Sequence, residues 1–388
     1  MNGRNYIKVS FTGDLMCLKE QNEAICRNNT DYREIFKEVK TILCDSDLLI
    51  GNLETPICCS PLSNESISFN TPKEFAEACL DCGVGFVSTA NNHCLDRGIS
   101  GLIETIGNLD AIGIAHSGTY RTKEESEEIY FTELHGIRIG IVCATFGTNS
   151  EVNGVMLPAE ETWRIDLLKR QNKPARIRFN PDSNSGKKMI ADNVTAAAIG
   201  NSLNAPYVER YLKKIEKAKE GADIVFVIPH VGGQYNPYPG TYTRHIVGVT
   251  ASIRPSYIIC GHPHVPHYVA SVDGTPVAYS LGNFCFTPDV GYFIPNSLAE
   301  YGIVLHTYWD KDSKGLIKNS FTIVKNVVGE DGISRVYPVS ELINILTSPI
   351  EKERLMVEVQ AVANRVASIF VNNIFDQEIE LIKIPQHM

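Results

Sequence analysis

Asp14, Glu54, Asn92 with His93, His230, and His262 with His264 each fall directly behind a run of apolar residues that reads as a strand. Any one of them has a plain explanation. An Asp after a strand often caps the next helix, and a lone His there is more often a hydrogen-bonded turn residue. Five such strand ends in one chain point further. Ligand sites in open α/β sheets form beyond the carboxyl ends of strands. Imidazoles mixed with carboxylates suit one or two divalent transition-metal ions, such as Mn, Zn or Fe. His262-Pro263-His264 has period two. On extended backbone both imidazoles project to the same side and reach one cluster or two adjacent ions, with Pro263 expected to hold that extended shape. His267 repeats the spacing, but it falls where the chain has turned into the next strand, and it is not counted as a ligand.

Other chemistries find little support. No G-x-S-x-G precedes a helix, which argues against a serine hydrolase. No Gly-rich ATP loop is found, so the chain is not expected to activate carboxylates with ATP. Cys79 and Cys82 form a lone C-x-x-C without a second pair. It is read as a helix C-terminus with two half-buried thiols rather than a zinc site. The net charge of -9 and pI near 5.6 argue against a nucleic-acid partner, which would need a basic face. A polyanionic substrate would need a local basic pocket, because the overall field repels it.

The elements that position these residues alternate. Strands are expected over residues 6–11, 47–50, 86–89, 223–228 and 257–260, and helices over 31–43, 72–82, 100–112, 206–220 and 241–253. That alternation predicts an α/β sandwich with largely parallel or mixed sheets. Two hairpins are expected to turn at His135-Gly136 and at Asp273-Gly274. Residues 147–204 are polar and irregular and read as an insertion or lid over the site. Residues 301–340 read as further strands and 350–370 as a helix.

The motifs Gly13-Asp14-Leu15-Met16, Gly51-Asn52-Leu53-Glu54, Ala90-Asn91-Asn92-His93-x-x-Asp96-x-Gly98, Gly261-His262-Pro263-His264-Val265 and Tyr279-Ser280-Leu281-Gly282-Asn283-Phe284 occur in this order over residues 6–310. Their set and spacing resemble the bacterial CapA family of poly-gamma-glutamate capsule biosynthesis, within the calcineurin-like metallophosphoesterases. The resemblance implies a four-layer sandwich of two mixed β-sheets flanked by helices. It implies one domain over residues 1–310 with the insertion at about 147–204, and C-terminal strands and a helix over 311–388 packed on it. It also implies that Asp14, Glu54 and His264 serve one ion. Glu54, Asn92, His230 and His262 would serve another, with His93 as the acid that protonates the leaving group. Three departures stand out. Met16 replaces the His that phosphoesterases carry two residues after the first Asp. Asn52 stands where they have the acidic bridge. The His-Trp-Gly-x-Glu-Tyr motif reads His230-Val231-Gly232-Gly233-Gln234-Tyr235.

Asp96 has two readings, as the carboxylate that orients His93 or as a turn cap. Asn91, Tyr235, Ser280 and Asn283 are expected to line the site as substrate contacts, with a structural hydrogen-bonding role open for Ser280 and Asn283. Two functions follow. One is a metal-dependent hydrolase or transferase acting on a phosphoester or on an anionic polymer such as poly-gamma-glutamate. The other is a non-catalytic polymer-binding or scaffold subunit with a relict site. The N-terminus shows no apolar signal segment and no stretch reaches membrane-span length. Cysteines set in apolar runs favour a reducing compartment. A cytoplasmic setting is therefore expected, although the resemblance points to the cell envelope.

Overall fold

The structure is a computed structural model that describes residues 4–58, 68–173, 198–288 and 297–381. Strands β1 (Tyr6–Leu15), β2 (Leu48–Leu53), β3 (Val84–Ser88) and β4 (Ala115–Ser117) run parallel. A second sheet follows, from β5 (Tyr130–Leu134), β6 (Ile137–Thr145), β7 (Ile224–His230), β8 (Tyr257–Ile259), β9 (Val269–Val272) and β10 (Thr275–Ala278). The chain then returns to the first sheet with β11 (Asn283–Cys285), β12 (Tyr301–Asp310), β13 (Leu316–Val328), β14 (Ser334–Pro338) and β15 (Ile379–Glu380). The first sheet has the order β14-β13-β12-β1-β2-β3-β4, with β11 against β1 and β15 against β13. The second has the order β5-β6-β7-β8-β10-β9. Both are mixed, because β12 to β14 are antiparallel in one, and β5 and β9 in the other.

Period-two alternation decides the layers. Ile7, Val9 and Phe11 of β1 and Ile303 and Leu305 of β12 share one buried cluster with Ile139, Ile141, Phe226 and Ile228 of the second sheet. The Phe11 and Phe226 rings meet edge to face at 4.9 Å, so the two sheets pack face to face. Outside the first sheet, Leu49, Val84 and Val87 pack with Ile35, Phe36 and Phe75. Outside the second, Val142, Val225 and Val227 pack with Tyr211 and Ile215 of the helix Ala205–Gly221 and Ile246 of the helix Thr241–Ala251. The result is the four-layer α/β sandwich of two mixed sheets flanked by helices. The helix Pro349–Ala367 adds Leu355, Val359 and Val362 to the cluster between the sheets.

The two hairpin turns stand where expected. His135-Gly136 (φ 51° and 80°) and Asp273-Gly274 (φ 50° and 82°) both take the left-handed conformation that a two-residue turn requires. β1 runs on past Phe11 to Leu15 because glycines let the chain pass close by. A Cβ on Gly13 would lie 2.1 Å from the Gly282 carbonyl oxygen. The helix expected over 31–43 is broken into a 3-10 turn, Tyr32–Ile35, and a short helix, Lys40–Leu43. Its apolar positions are all buried, but Phe36 (φ -106°, ψ 2°) falls outside helical geometry and the residues between the two pieces form turns. Among the described residues, no helix is long and apolar enough to cross a membrane. Cys79 and Cys82 are fully rather than half buried. Burial pushes the Cys82 thiol up to about 12 and that of Cys79 well above its ordinary value, which leaves both as packing groups.

Candidate metal centre

The carboxyl ends of β1, β2, β3, β7 and β8 meet at one edge of the sandwich, and each delivers a polar side chain there. Asp14 is fixed near the end of β1 by its N–H, which donates to Gly282 O at 2.9 Å. Glu54 follows β2, and its N–H donates to Leu15 O at 3.0 Å. His230 ends β7, while His262 and His264 follow β8. All five side chains are buried. Their donor atoms form two groups, Glu54 with His230 and His262, and Asp14 with Glu54 and His264. Within each group the atoms lie inside 4.8 Å of one another. Glu54 belongs to both.

Lone pairs outnumber protons in this cluster. His230 Nε2 lies 2.7 Å from Asn92 Oδ1, 3.1 Å from His262 Nδ1 and 3.5 Å from Glu54 Oε1. His264 Nδ1 lies 2.9 Å from Asn283 Oδ1 and 3.4 Å from Asp14 Oδ2, and its Nε2 lies 3.7 Å from Glu54 Oε1. Glu54 is 0% exposed, and among the described residues neither carboxylate oxygen has a hydrogen-bond partner. A buried carboxylate without a hydrogen bond is costly to desolvate; the charged His264 ring at 3.7 Å meets part of that cost, and a divalent cation would meet it more fully. Gly261 lets the far edges of two of these groups pack close to the backbone, since a Cβ there would lie 3.0 Å from Asp14 Oδ1 and 3.3 Å from His230 Nδ1. The residues therefore fit a divalent ion, and borderline N/O donors suit Mn, Zn or Fe.

Electrostatics sorts the imidazoles. Burial, together with His230, His264 and His93 nearby, pushes His262 well below its ordinary value and favours the neutral ring that ligation needs. Burial also opposes charge on His264, but Glu54 and the bonds to Asp14 and Asn283 outweigh it and lift the ring to about 9. Burial works to raise the Asp14 carboxyl, but the bond from His264, the charge of His230 and the Asn52 amide hold it below the usual range. Ligation needs a neutral imidazole. At neutral pH, metal binding is therefore expected to release a proton from His264, and affinity should rise with pH towards about 9. Isothermal titration in buffers of different ionisation enthalpy reads that proton. Uptake without proton release would exclude His264 as a ligand.

The H-x-H geometry corrects the extended reading. His262 (φ 97°) and His264 (φ 57°) both take left-handed backbone, which costs non-glycine residues about 1–3 kcal/mol. The bend through Pro263 separates the rings, whose centroids are 5.7 Å apart, and sends one to each group. His267 is no ligand. Its Nε2–H donates to Asn236 O at 2.6 Å, and burial pushes it down to about 4.

His93 stands beside the cluster. Its Nδ1 lies 2.6 Å from Asp96 Oδ2, and its ring stacks on Phe69 at 3.8 Å. Asp96 also accepts the Phe69 N–H at 2.7 Å and the Asn153 amide at 3.1 Å, so it both orients His93 and ties down a turn. Asn91 is buried, with its amide donating to Asn52 Oδ1 and Leu53 O, and it braces the end of β2. Asn283 touches His264, and Ser280 accepts the Gly282 N–H at 3.1 Å within the same turn. Tyr235 holds a buried hydroxyl without a hydrogen-bond partner among the described residues, its ring 5.9 Å from that of His264. Met16 packs with Phe69, Tyr235, Val265 and Phe286, so the position that lacks the expected His faces an apolar wall.

Asn52, noted in the sequence as a departure, braces the cluster, and two further contributors, Asn149 and Phe146, carried no strong signal there. Asn52 donates to Asp14 Oδ1 at 2.8 Å and lies 3.2 Å from His230 Nδ1. Asn149 approaches Asn92 and both His93 nitrogens. The Phe146 ring packs 4.7 Å from that of His262. Asn149 belongs to the segment read as a lid, of which residues 174–197 lie outside the described residues.

The family described as "Bacterial capsule synthesis protein PGA_cap" matches residues 8–288 of the chain. The PGA biosynthesis protein CapA of Bacillus subtilis (strain 168) is 26% identical over 288 residues, which are 72% of this chain and 63% of that protein. The capsule biosynthesis protein CapA of Bacillus anthracis is 25% identical over 290 residues, 72% of this chain and 60% of that protein. The chain thus spans about three fifths of the length of these relatives. Among solved structures, a novel phosphatase of Mycoplasma pneumoniae shares 13% identity at a TM-score of 0.44, over 83% of this chain and 95% of that one.

Proposed function

The chain belongs to the bacterial capsule synthesis protein family PGA_cap, and from that premise we propose that it is a metal-dependent hydrolase or transferase of poly-gamma-glutamate metabolism, acting on a phosphoester or γ-glutamyl amide bond. The observation that carries this reading is Glu54, a fully buried carboxylate with no hydrogen-bond partner among the described residues, shared by two groups of metal-ligating side chains. Asp14, Glu54 and His264 would hold one ion, and Glu54, His230 and His262, with Asn92 beside them, would hold the other. Bound there, two ions supply Lewis acidity to the reacting group and charge neutralisation as it reacts.

The chain's own groups do the rest. Asp96 holds the Nδ1–H of His93 and steadies the ring when it is doubly protonated, so that Nε2–H can pass its proton to the departing oxygen or nitrogen and leave the neutral Nδ1–H ring behind. Tyr235, whose ring lies 5.9 Å from that of His264, would serve as a substrate contact through its buried hydroxyl. Asn283 acts through His264. The buried, apolar setting of Met16 favours a second reading, a polymer-binding subunit with one weakened metal position.

Metal content and turnover separate the two. Protein purified without chelator is expected to carry about two transition-metal ions per chain. Chelation should abolish hydrolysis of phosphoester or γ-glutamyl substrates, and added Mn or Zn should restore it. A chain that takes up neither metal yet binds the polymer would sink the enzyme reading.

A further inference from the structure

The sheet edge that bears the ligands is wider than the ligand-bearing strands. Thr145 at the end of β6 pairs in parallel with His230, and His230 bridges to Gly261. On the other side, Thr145 bridges in parallel to Leu167, a residue of the polar insertion. Leu167, Thr145, His230 and Gly261 thus form one row, and the next residues of all four segments project over the same edge. Two residues beyond Leu167 stands Lys169.

Lys169 is 9% exposed, and its backbone is firmly held. The Leu168 N–H donates to Thr145 O at 2.7 Å, and the Arg170 N–H donates to Asn204 Oδ1 at 3.1 Å. The ammonium rests 5.8 Å from the centre of the Phe146 ring, and that ring packs 4.7 Å from His262. One aromatic ring therefore separates a largely buried cation from the metal centre. Its carboxylate neighbour is Glu151 at 3.4 Å, which already accepts the Asn172 amide at 2.6 Å. An ammonium has three protons to donate, and among the described residues Lys169 gives one, to Glu151, which leaves donors for a ligand. In a chain of net charge -9, a cation fixed at this edge supplies the local basic group that an anionic substrate requires.

We propose that Lys169 receives the free α-carboxylate of a γ-linked glutamyl residue next to the bond held at the metal centre, and so selects an anionic over a neutral chain. This rests on reading the centre as the substrate site. In γ-linked glutamate each residue keeps an α-carboxylate a few bonds from the amide, which places a charge beside every scissile group. Phe146 then offers the apolar floor over which the methylenes between them lie.

The test uses the full chain with manganese present, and calorimetric binding of γ-linked triglutamate and of the same peptide with its α-carboxylates amidated. The native chain is expected to prefer the anionic peptide by about tenfold or more, the worth of a hydrogen bond to a charged group. Lys169→Met should lose that preference while keeping the native metal content, and Lys169→Arg should retain most of it. Equal binding of both peptides by the native chain, or an undiminished preference in Lys169→Met, overturns the proposal. Turnover plays no part in this readout. A Lys169-dependent preference without hydrolysis removes the enzyme reading alone, and hydrolysis without such a preference removes the Lys169 assignment alone.

Discussion

Replacing Glu54 by glutamine is expected to weaken both metal positions at once, by about a hundredfold or more. Changes to groups that merely orient a ligand cost 10- to 100-fold in affinity, and Glu54 contacts the cluster directly. Its Oε1 lies 3.5 Å from His230 and 3.7 Å from His264, one imidazole from each group. The glutamine is nearly isosteric, and its amide can donate to the same neighbours, so the fold should survive in a position that is wholly buried. His262→Ala provides the contrast, because His262 belongs to one group only. Elemental analysis should therefore find metal largely absent from Glu54→Gln and about half retained in His262→Ala. Thermal melting gives an independent reading. Metal at 100 times its dissociation constant stabilises the native state by about 2.7 kcal/mol, so the melting temperature of the native chain should rise on adding Mn or Zn while that of Glu54→Gln stays put. Native metal content in Glu54→Gln would mean that Glu54 is a structural carboxylate and that the two groups share no ligand.

The strand ends were legible in the sequence because two rules act together. Parallel strands point their carboxyl ends one way, and apolar runs mark where they stop. Asp14, Glu54, Asn92, His230, His262 and His264 could thus be placed at one edge without knowing the pairing of strands. Other features depend on contacts that no local pattern records. The left-handed backbone at His262 and His264 is imposed by tertiary packing, with His262 N–H directed at Asp14 Oδ2 at 3.4 Å and Asn283 Nδ2 donating to His264 O at 3.2 Å. Period two along H-x-H accordingly misjudged the direction of the rings. The helix expected over 31–43 had the right periodicity and the right buried face, yet periodicity does not register where a backbone ladder is cut. Asn149 and Lys169 lie in a polar, irregular stretch, and long-range contacts such as the bridge from Leu167 to Thr145 and the bond from Asn149 N to Asn92 O bring them to the site.

His93→Ala is expected to lower kcat by about 10²- to 10⁴-fold, with metal content unchanged because His93 belongs to neither ligand group. The argument rests on what the ring has been given. Asp96 Oδ2 lies 2.6 Å from Nδ1, which fixes the proton there. Phe69 stacks on the ring face at 3.8 Å and limits its rotation. Asn149 Nδ2 approaches Nε2 at 3.3 Å, so the free nitrogen meets a donor rather than a metal ligand. A ring held in this way serves to pass a proton, and that role leaves a signature a purely structural one would not. Leaving groups that depart as stable anions, such as nitrophenolate, need little protonation. The loss in His93→Ala should then shrink towards unity for nitrophenyl esters and remain large for alkyl esters or amides. Asp96→Asn should fall between, at about 10- to 100-fold, since it keeps an oxygen for the Phe69 N–H but removes the charge that steadies His93 when protonated. An equal loss on both kinds of leaving group would assign His93 to positioning and leave proton delivery to another group.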